Sequence, residues 1–165
     1  MLTLASLLIR ADMALGLGTI YKLGQGGFHP ENTRPGDAEN ECDCSGFVCW
    51  CLGMSRLSDI PFYKKTYGGY IYTNSIYADA QASTGIFTQI DSPKPGALIV
   101  YPGGDIHKYG HVGIITSVED GKVSKVIHCS SSNYHNDKDA IQETERPKAF
   151  DALKTIFAWY DGLVE

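Results

Sequence analysis

The chain has 165 residues, which suits one domain, because single hydrophobic cores usually span roughly 100–200 residues. Apolar residues make up 43% and charged residues 20% of the composition, values close to the globular average that exclude disordered, collagen-like and coiled-coil classes. The formal charge is -5 at pH 7 and the basic residues are scattered, so we expect neither a nucleic acid nor an anionic membrane surface as a partner.

The N-terminal segment carries apolar residues at the spacing of an amphipathic helix that lies on a core. These residues are Leu4, Leu7, Leu8, Ala11 and Leu15. No Lys or Arg precedes the apolar stretch, and Arg10 and Asp12 interrupt it, so the pattern matches neither a standard secretion signal nor a membrane span. We therefore expect synthesis in the cytoplasm and no insertion into a membrane.

The middle of the chain alternates between a loop and two predicted helices. Residues 24–41 are rich in Gly, Pro, Asn and acidic residues, which predicts a loop. The apolar spacing from Cys44 onward predicts a helix to about Gly53, with Asp43 as its N-cap. A further helix is predicted over residues 73–83, with Thr73 as its cap.

After residue 85 the pattern changes to short β-type runs. The predicted strands cover residues 86–90, 97–101, 111–118, 122–129 and 155–160. Helices first and strands afterwards favour an α+β fold with an antiparallel sheet, because parallel units would alternate the two types. Asp120 and Gly121 form the sequence that a type I′ hairpin turn prefers, so the strands on either side of them are expected to pair.

Cys44 is the strongest candidate for a catalytic nucleophile. It follows Asp43 and falls in the first turn of a predicted helix, where free backbone N–H groups and the positive end of the helix dipole favour a thiolate. This position predicts a lowered pKa of the thiol and a nucleophilic sulfur at neutral pH. A small buried hydrophobic residue is the alternative for Cys44, and it is the expected state of Cys49 and Cys51.

Two histidines are candidates for the base that such a nucleophile requires. If Asp120 and Gly121 form a two-residue turn, residues whose numbers sum to 241 face each other across the hairpin. His111 and His128 would then be diagonal neighbours on one face, with Cβ atoms roughly 7 Å apart. A nucleophile at a helix start, an imidazole base and a polar group that orients this base form a generalised catalytic triad.

Four sequence segments, in this order, resemble the NlpC-type cell-wall peptidases, a papain-like cysteine peptidase family of bacteria and their phages. They are Asp43-Cys44-Ser45-Gly46-Phe47-Val48, Lys94-Pro95-Gly96-Ala97-Leu98-Ile99-Val100-Tyr101, Gly110-His111-Val112-Gly113-Ile114 and Val126-Ile127-His128. The resemblance covers residues 21–130. It departs from the family pattern at Ala97, where Asp usually follows the Pro-Gly pair, and in the extra cysteines around Cys44.

The resemblance implies a papain-like α+β fold, with the nucleophile helix packed on a small antiparallel sheet, and we expect it to fill residues 1–165 as one catalytic domain. It implies hydrolysis of peptidoglycan stem peptides, commonly between D-γ-glutamate and a diamino acid, through a thioester on Cys44. His111 would be the base and His128 the orienting residue. Tyr21, Asp43 and Ser45 would serve oxyanion or substrate binding, although Tyr21 could equally be a packing aromatic. No cofactor is expected.

Two alternatives stay open at this point. Related cysteine-histidine folds act as acyltransferases or thioesterases, so the acceptor of the acyl group could differ. The crowded thiols of Cys42, Cys44, Cys49 and Cys51 could instead hold zinc, although a cysteine run that continues through a helix would direct its sulfurs apart. An enzyme of the cell wall without a signal peptide would reach its substrate after lysis or by specialised export.

Overall fold

The computed structural model describes residues 1–104, 107–145 and 147–165. In this part of the chain the helices are α1 (Leu4–Met13), α2 (Cys44–Cys51), α3 (Pro61–Tyr67), α4 (Thr73–Ala82) and α5 (Ser131–Asp137), with a 3-10 helix at Lys148–Phe150. The strands are β1 (Leu2–Thr3), β2 (Ile20–Tyr21), β3 (Glu41–Cys42), β4 (Phe87–Ile90), β5 (Leu98–Tyr101), β6 (His111–Glu119), β7 (Lys122–Cys129), β8 (Ile141–Glu145), β9 (Ile156–Tyr160) and β10 (Leu163–Val164).

Six of the strands form one antiparallel sheet in the order β4-β9-β5-β6-β7-β8. Helices α1 to α4 precede this sheet along the chain, and α2 packs against β6 and β7. The predicted α+β class with an antiparallel sheet is confirmed. Helix α2 therefore lies on the strands that carry the two candidate histidines.

The hairpin between β6 and β7 has the predicted turn and register. Asp120 and Gly121 both adopt positive φ values, 50° and 72°, as a type I′ turn demands. Glu119 pairs with Lys122, and Ile114 pairs with Ile127. One irregularity near Ser117 interrupts the ladder, but the original register returns after it. His111 and His128 are therefore placed on one face, as predicted.

The start of α4 differs from the prediction by one residue. Thr73 is the first helical residue, and Tyr72, in an extended conformation, is the N-cap. A tyrosine side chain reaches too far to cap its own helix, and the hydroxyl of Ser75 accepts the hydrogen bond of the Tyr72 N–H at 2.8 Å instead. This shift releases the Thr73 side chain from the capping role and turns it toward α2, where it contacts Cys44.

The two faces of the sheet carry separate apolar clusters. Leu98, Val112 and Ile127 belong to the large core that includes the fully buried α2. Tyr101 and Phe150 belong to a smaller cluster on the other face, which the 3-10 helix covers. Within the described residues, no helix is both long and apolar enough to span a bilayer.

Candidate active site

Cys44 is the first residue of α2, and the side chain of Asp43 caps this helix by accepting the N–H of Gly46 at 2.8 Å. Cys44 is 5% exposed, and its sulfur lies 3.6 Å from the hydroxyl oxygen of Thr73. It borders a cavity of about 410 Å³. The structure places Cys44 in the first turn of a helix capped by Asp43, as the sequence predicted.

The electrostatics of this thiol differ from the prediction. Burial raises the pKa of Cys44 to about 12, and the negative charge of Asp43 acts in the same direction. Hydrogen bonds from the Thr73 side chain and from the backbone N–H groups of Val112 and Ser45 lower the pKa but do not compensate. The predicted lowering by the helix start is therefore wrong for the resting site, in which the sulfur is a thiol.

Gly46 allows the loop before α2 to pack directly on the helix. A Cβ at this position would lie 2.7 Å from the carbonyl oxygens of Gln25 and Gly26. Glycine is therefore required two residues after Cys44, because backbone from the loop occupies the space of a side chain. The contact fixes the loop that carries Gly24, whose N–H donates to Asp43 at 2.7 Å.

A buried ion pair lies next to Cys44 at the start of α2. Nη1 of Arg56 is 3.0 Å from Oδ1 of Asp43, and Nη2 donates to Oγ of Ser45 at 3.0 Å. The side chains of Arg56 and Asp43 are 3% and 4% exposed. Arg56 was missed at the sequence level, since it follows a turn and belongs to no periodic element. The pair fixes Asp43 and Ser45 at the edge of the cavity that Cys44 borders.

The histidine pair forms the second part of the site. Nε2 of His111 lies 2.7 Å from Nδ1 of His128, and Nε2 of His128 lies 2.8 Å from Oγ1 of Thr144. Burial lowers the pKa of His111 to about 3, and the neighbouring His128 adds to this shift. Burial also lowers the pKa of His128 to about 4. Both rings are neutral at rest, and Nδ1 of His111 is left for proton transfer.

Phe150 packs against the two imidazoles on the face of the sheet that the 3-10 helix covers. Its ring stacks on His111 with centroids 4.9 Å apart and an interplanar angle of 19°. It meets His128 edge-on at 5.7 Å. The sequence did not indicate Phe150 or Thr144, because both lie outside the motifs and more than ten residues from either histidine.

Cys44 and the two histidines line two adjoining cavities. Cys44 borders the first cavity, and His111 and His128 border a second cavity of about 300 Å³. Both cavities share the lining residues Tyr21, Tyr109 and Gly110. The predicted site residues thus line these two adjoining cavities.

Tyr21 lies at the junction of these cavities. The parallel pairing of β2 with β3 sets Tyr21 opposite Cys42, two residues before Cys44. Burial raises the pKa of Tyr21 well above its ordinary value, and the nearby Cys44 and Asp43 contribute to the shift. Its hydroxyl therefore keeps its proton and can donate a hydrogen bond into the cavity that Cys44 also lines.

The other cysteines are buried free thiols: Cys42, Cys49, Cys51 and Cys129. Across the described ranges, no group of three or more His, Cys, Asp or Glu side chains is arranged to hold a metal ion. The thiolate zinc site considered from the sequence has no support in this geometry.

Comparison with known proteins agrees with the geometry. Residues 34–133 match the model of the CHAP domain. The crystal structure of Ly7917 superimposes with a TM-score of 0.54 at 14% identity, and the structure of Ly7917 with the hydrolyzing product of MDP gives 0.53 at 13%. The alignments cover 97% of this chain and 63% of each of those chains. No curated protein sequence matches the chain.

Proposed function

Since this chain belongs to the CHAP domain family, part of the NlpC/papain-like group of cysteine peptidases and amidases, we propose that it hydrolyses an amide bond of bacterial peptidoglycan. The observation that carries the proposal is the cleft itself. Cys44 begins a helix on one side, and a hydrogen-bonded histidine pair lies on the other. We assign residues 1–165 to one catalytic domain of this NlpC-like type.

The reaction begins with transfer of the thiol proton from Cys44 to Nδ1 of His111. Burial disfavours a single charge on either group, as the raised pKa of Cys44 and the lowered pKa of His111 indicate, so thiolate and imidazolium form together as a pair. His128 accepts the Nε2–H of His111 and keeps the ring in the orientation that this transfer needs.

The thiolate then attacks the carbonyl carbon of the substrate and forms a tetrahedral intermediate. Its oxyanion lies near the start of α2, where the N–H of Cys44 and the hydroxyl of Tyr21 are the donors. The imidazolium of His111 gives its proton to the leaving amine, and a thioester remains on Cys44. Water, deprotonated by the same imidazole, hydrolyses this thioester and regenerates the thiol.

The two cavities assign a direction to the substrate. The leaving amine must be within reach of His111, so the amine side of the scissile bond lies in the cavity of the histidines. The acyl side lies in the larger cavity, whose walls include Tyr67, Tyr70 and Tyr72. These rings offer apolar faces and hydroxyl groups to a short polar peptide. Tyr109 lines both cavities, so it lies where the acyl and amine sides of the proposed substrate would meet.

The stem peptide is the proposed substrate, and the bond between D-γ-glutamate and the diamino acid is the proposed point of cleavage. A second candidate is the amide bond between the lactoyl group of muramic acid and the first residue of the stem. It is favoured by the similarity to Ly7917, which was crystallised with the hydrolyzing product of MDP, or muramyl dipeptide. The same catalytic residues serve both reactions.

Digestion of purified peptidoglycan, followed by mass analysis of the soluble products, separates these candidates. Cleavage after D-γ-glutamate leaves a dipeptide on muramic acid and releases a peptide with a new amine on the diamino acid. Cleavage of the lactoyl amide releases every stem intact. Shortened glycan strands with complete stems still attached would contradict both candidates.

A further inference from the structure

We propose that Thr144 is a positioning residue for the histidine pair: its hydroxyl oxygen accepts a hydrogen bond from Nε2–H of His128 and so holds Nδ1 of that ring toward His111. The assignment rests on the proposed role of His111 as the base. It adds to the site a residue from β8, a strand that carries none of the sequence motifs.

The sheet register places Thr144 beside His128. In the pairing of β7 with β8, Val126 lies opposite Thr144 and His128 lies opposite Gln142. Side chains two positions apart on a strand share a face, so Thr144 is a diagonal neighbour of His128. The distance of 2.8 Å between Oγ1 and Nε2 is that of a formed hydrogen bond.

Proton transfer gives the hydroxyl one defined role. When His111 accepts a proton on Nδ1, both of its ring nitrogens carry hydrogen, so its Nε2–H donates to Nδ1 of His128. A neutral His128 then carries its own proton on Nε2, and the oxygen of Thr144 must accept it. Two hydrogen bonds in series point away from the imidazolium and stabilise its charge.

Removal of the Thr144 hydroxyl would leave the Nε2–H of His128 without a hydrogen-bond acceptor in a largely buried site. His128 is 4% exposed, so an unpaired Nε2–H carries a desolvation penalty, and rotation of the ring would break its bond to His111. The titratable groups that line the cavity of the pair belong to other elements: Tyr21 of β2, Tyr101 of β5, Tyr109 of the loop before β6, and Lys148 of the 3-10 helix. Within the described part of the chain, none of them forms a hydrogen bond to Nε2 of His128.

The test compares Thr144→Val, which is isosteric but lacks the hydroxyl, with Thr144→Ser, which keeps it. The matched control is Thr116→Val, because Thr116 is a strand threonine of the same sheet whose hydroxyl donates to Glu143 at 2.8 Å. The measurement is the rate at which iodoacetamide alkylates Cys44 across pH, with mapping of the modified site. Hydrolysis of purified muropeptides is measured in parallel.

We expect Thr144→Val to react about tenfold more slowly, the effect of one hydrogen bond to a group that becomes charged. The alkaline limb of its pH–rate profile should move to lower pH, because loss of the Thr144 hydroxyl destabilises the protonated form of the histidine pair. Thr144→Ser and Thr116→Val should retain the wild-type profile. A wild-type profile for Thr144→Val, or equal losses in the Ser and Val variants, would overturn the proposal.

Nitrogen-15 NMR of the His128 ring provides a readout that does not depend on the substrate. The wild type and Thr144→Ser should show a proton on Nε2, and Thr144→Val should show a changed tautomer or a weakened hydrogen bond. If the wild type leaves muropeptides intact while the alkylation profile and the tautomer follow Thr144, the proposed substrate fails and the positioning role stands. Identical ring spectra in all three proteins would overturn the positioning role.

Discussion

The guanidinium of Arg56 and the carboxylate of Asp43 meet at the start of α2, with N–O distances of 3.0 Å and 3.3 Å. Asp43 also caps the helix that begins with the nucleophile. The Asp43 carboxylate therefore forms the ion pair and also caps the helix. The position of Cys44 depends on a residue twelve positions further along the chain.

We expect Arg56→Met to destabilise the protein by about 3–5 kcal/mol, because it leaves the carboxylate of Asp43 buried and without its cation. Urea denaturation measures the change. Lys64→Met is the matched control, since Lys64 pairs with Asp59 at 3.0 Å but both side chains are largely exposed. Equal stability of the two variants would show that the buried pair does not support the site.

Much of the site was predictable because it follows local rules. Helical spacing and an N-cap place Cys44, and a two-residue turn fixes the register that brings His111 and His128 together. Arg56 and Thr144 were not predictable. Each reaches its partner through tertiary contacts, and neither lies in a segment with a period that a sequence reveals.

The sequence failed to predict several helices and strands for a similar reason. Helices α3 and α5 have seven residues each, too few for a clear apolar period, and β8 is mostly polar because it forms the edge of the sheet. The pKa of Cys44 was mispredicted because burial is a property of the folded chain. The helix dipole was visible in the sequence, but the desolvation that outweighs it was not.

The two histidines should differ in their tolerance of substitution. We expect His111→Ala to abolish hydrolysis, because His111 is the proposed acceptor of the Cys44 proton. His128→Asn or His128→Gln should retain part of the activity, since an amide can still accept the Nε2–H of His111. Steady-state hydrolysis of muropeptides by each variant measures this. Full activity of His128→Ala would contradict the orienting role.

The neutral histidine pair should make the protein sensitive to mild acid. The pKa values of His111 and His128 in the folded state lie below the unfolded value of about 6.5, so the unfolded chain binds more protons as the pH falls. The contribution of the two neutral histidines to the free energy of unfolding is complete above about pH 6.5. It is lost as the pH falls toward their pKa values in the folded state. At pH 5 the loss should be about 2 kcal/mol for each histidine.

Urea denaturation at pH 7 and pH 5 checks this pH dependence. The matched variant is the double substitution His111→Gln and His128→Gln, which removes both titrating rings and leaves the carboxylates unchanged. Its loss of stability between the two pH values should be smaller than that of the wild type. The same loss in both proteins would mean that the buried histidines do not set the acid response.

The central claim is that the Cys44 sulfur carries out amide hydrolysis in peptidoglycan, and Cys44→Ala tests it most directly. Cys49→Ala is the matched control, because Cys49 is a fully buried thiol of the same helix that borders neither cavity of the cleft. Each protein is first shown to be folded and is then incubated with purified peptidoglycan, and the release of new amino groups is followed over time. We expect Cys44→Ala to lose at least about 10³-fold in rate and Cys49→Ala to retain hydrolysis. Release of amino groups by folded Cys44→Ala at the wild-type rate would contradict the account.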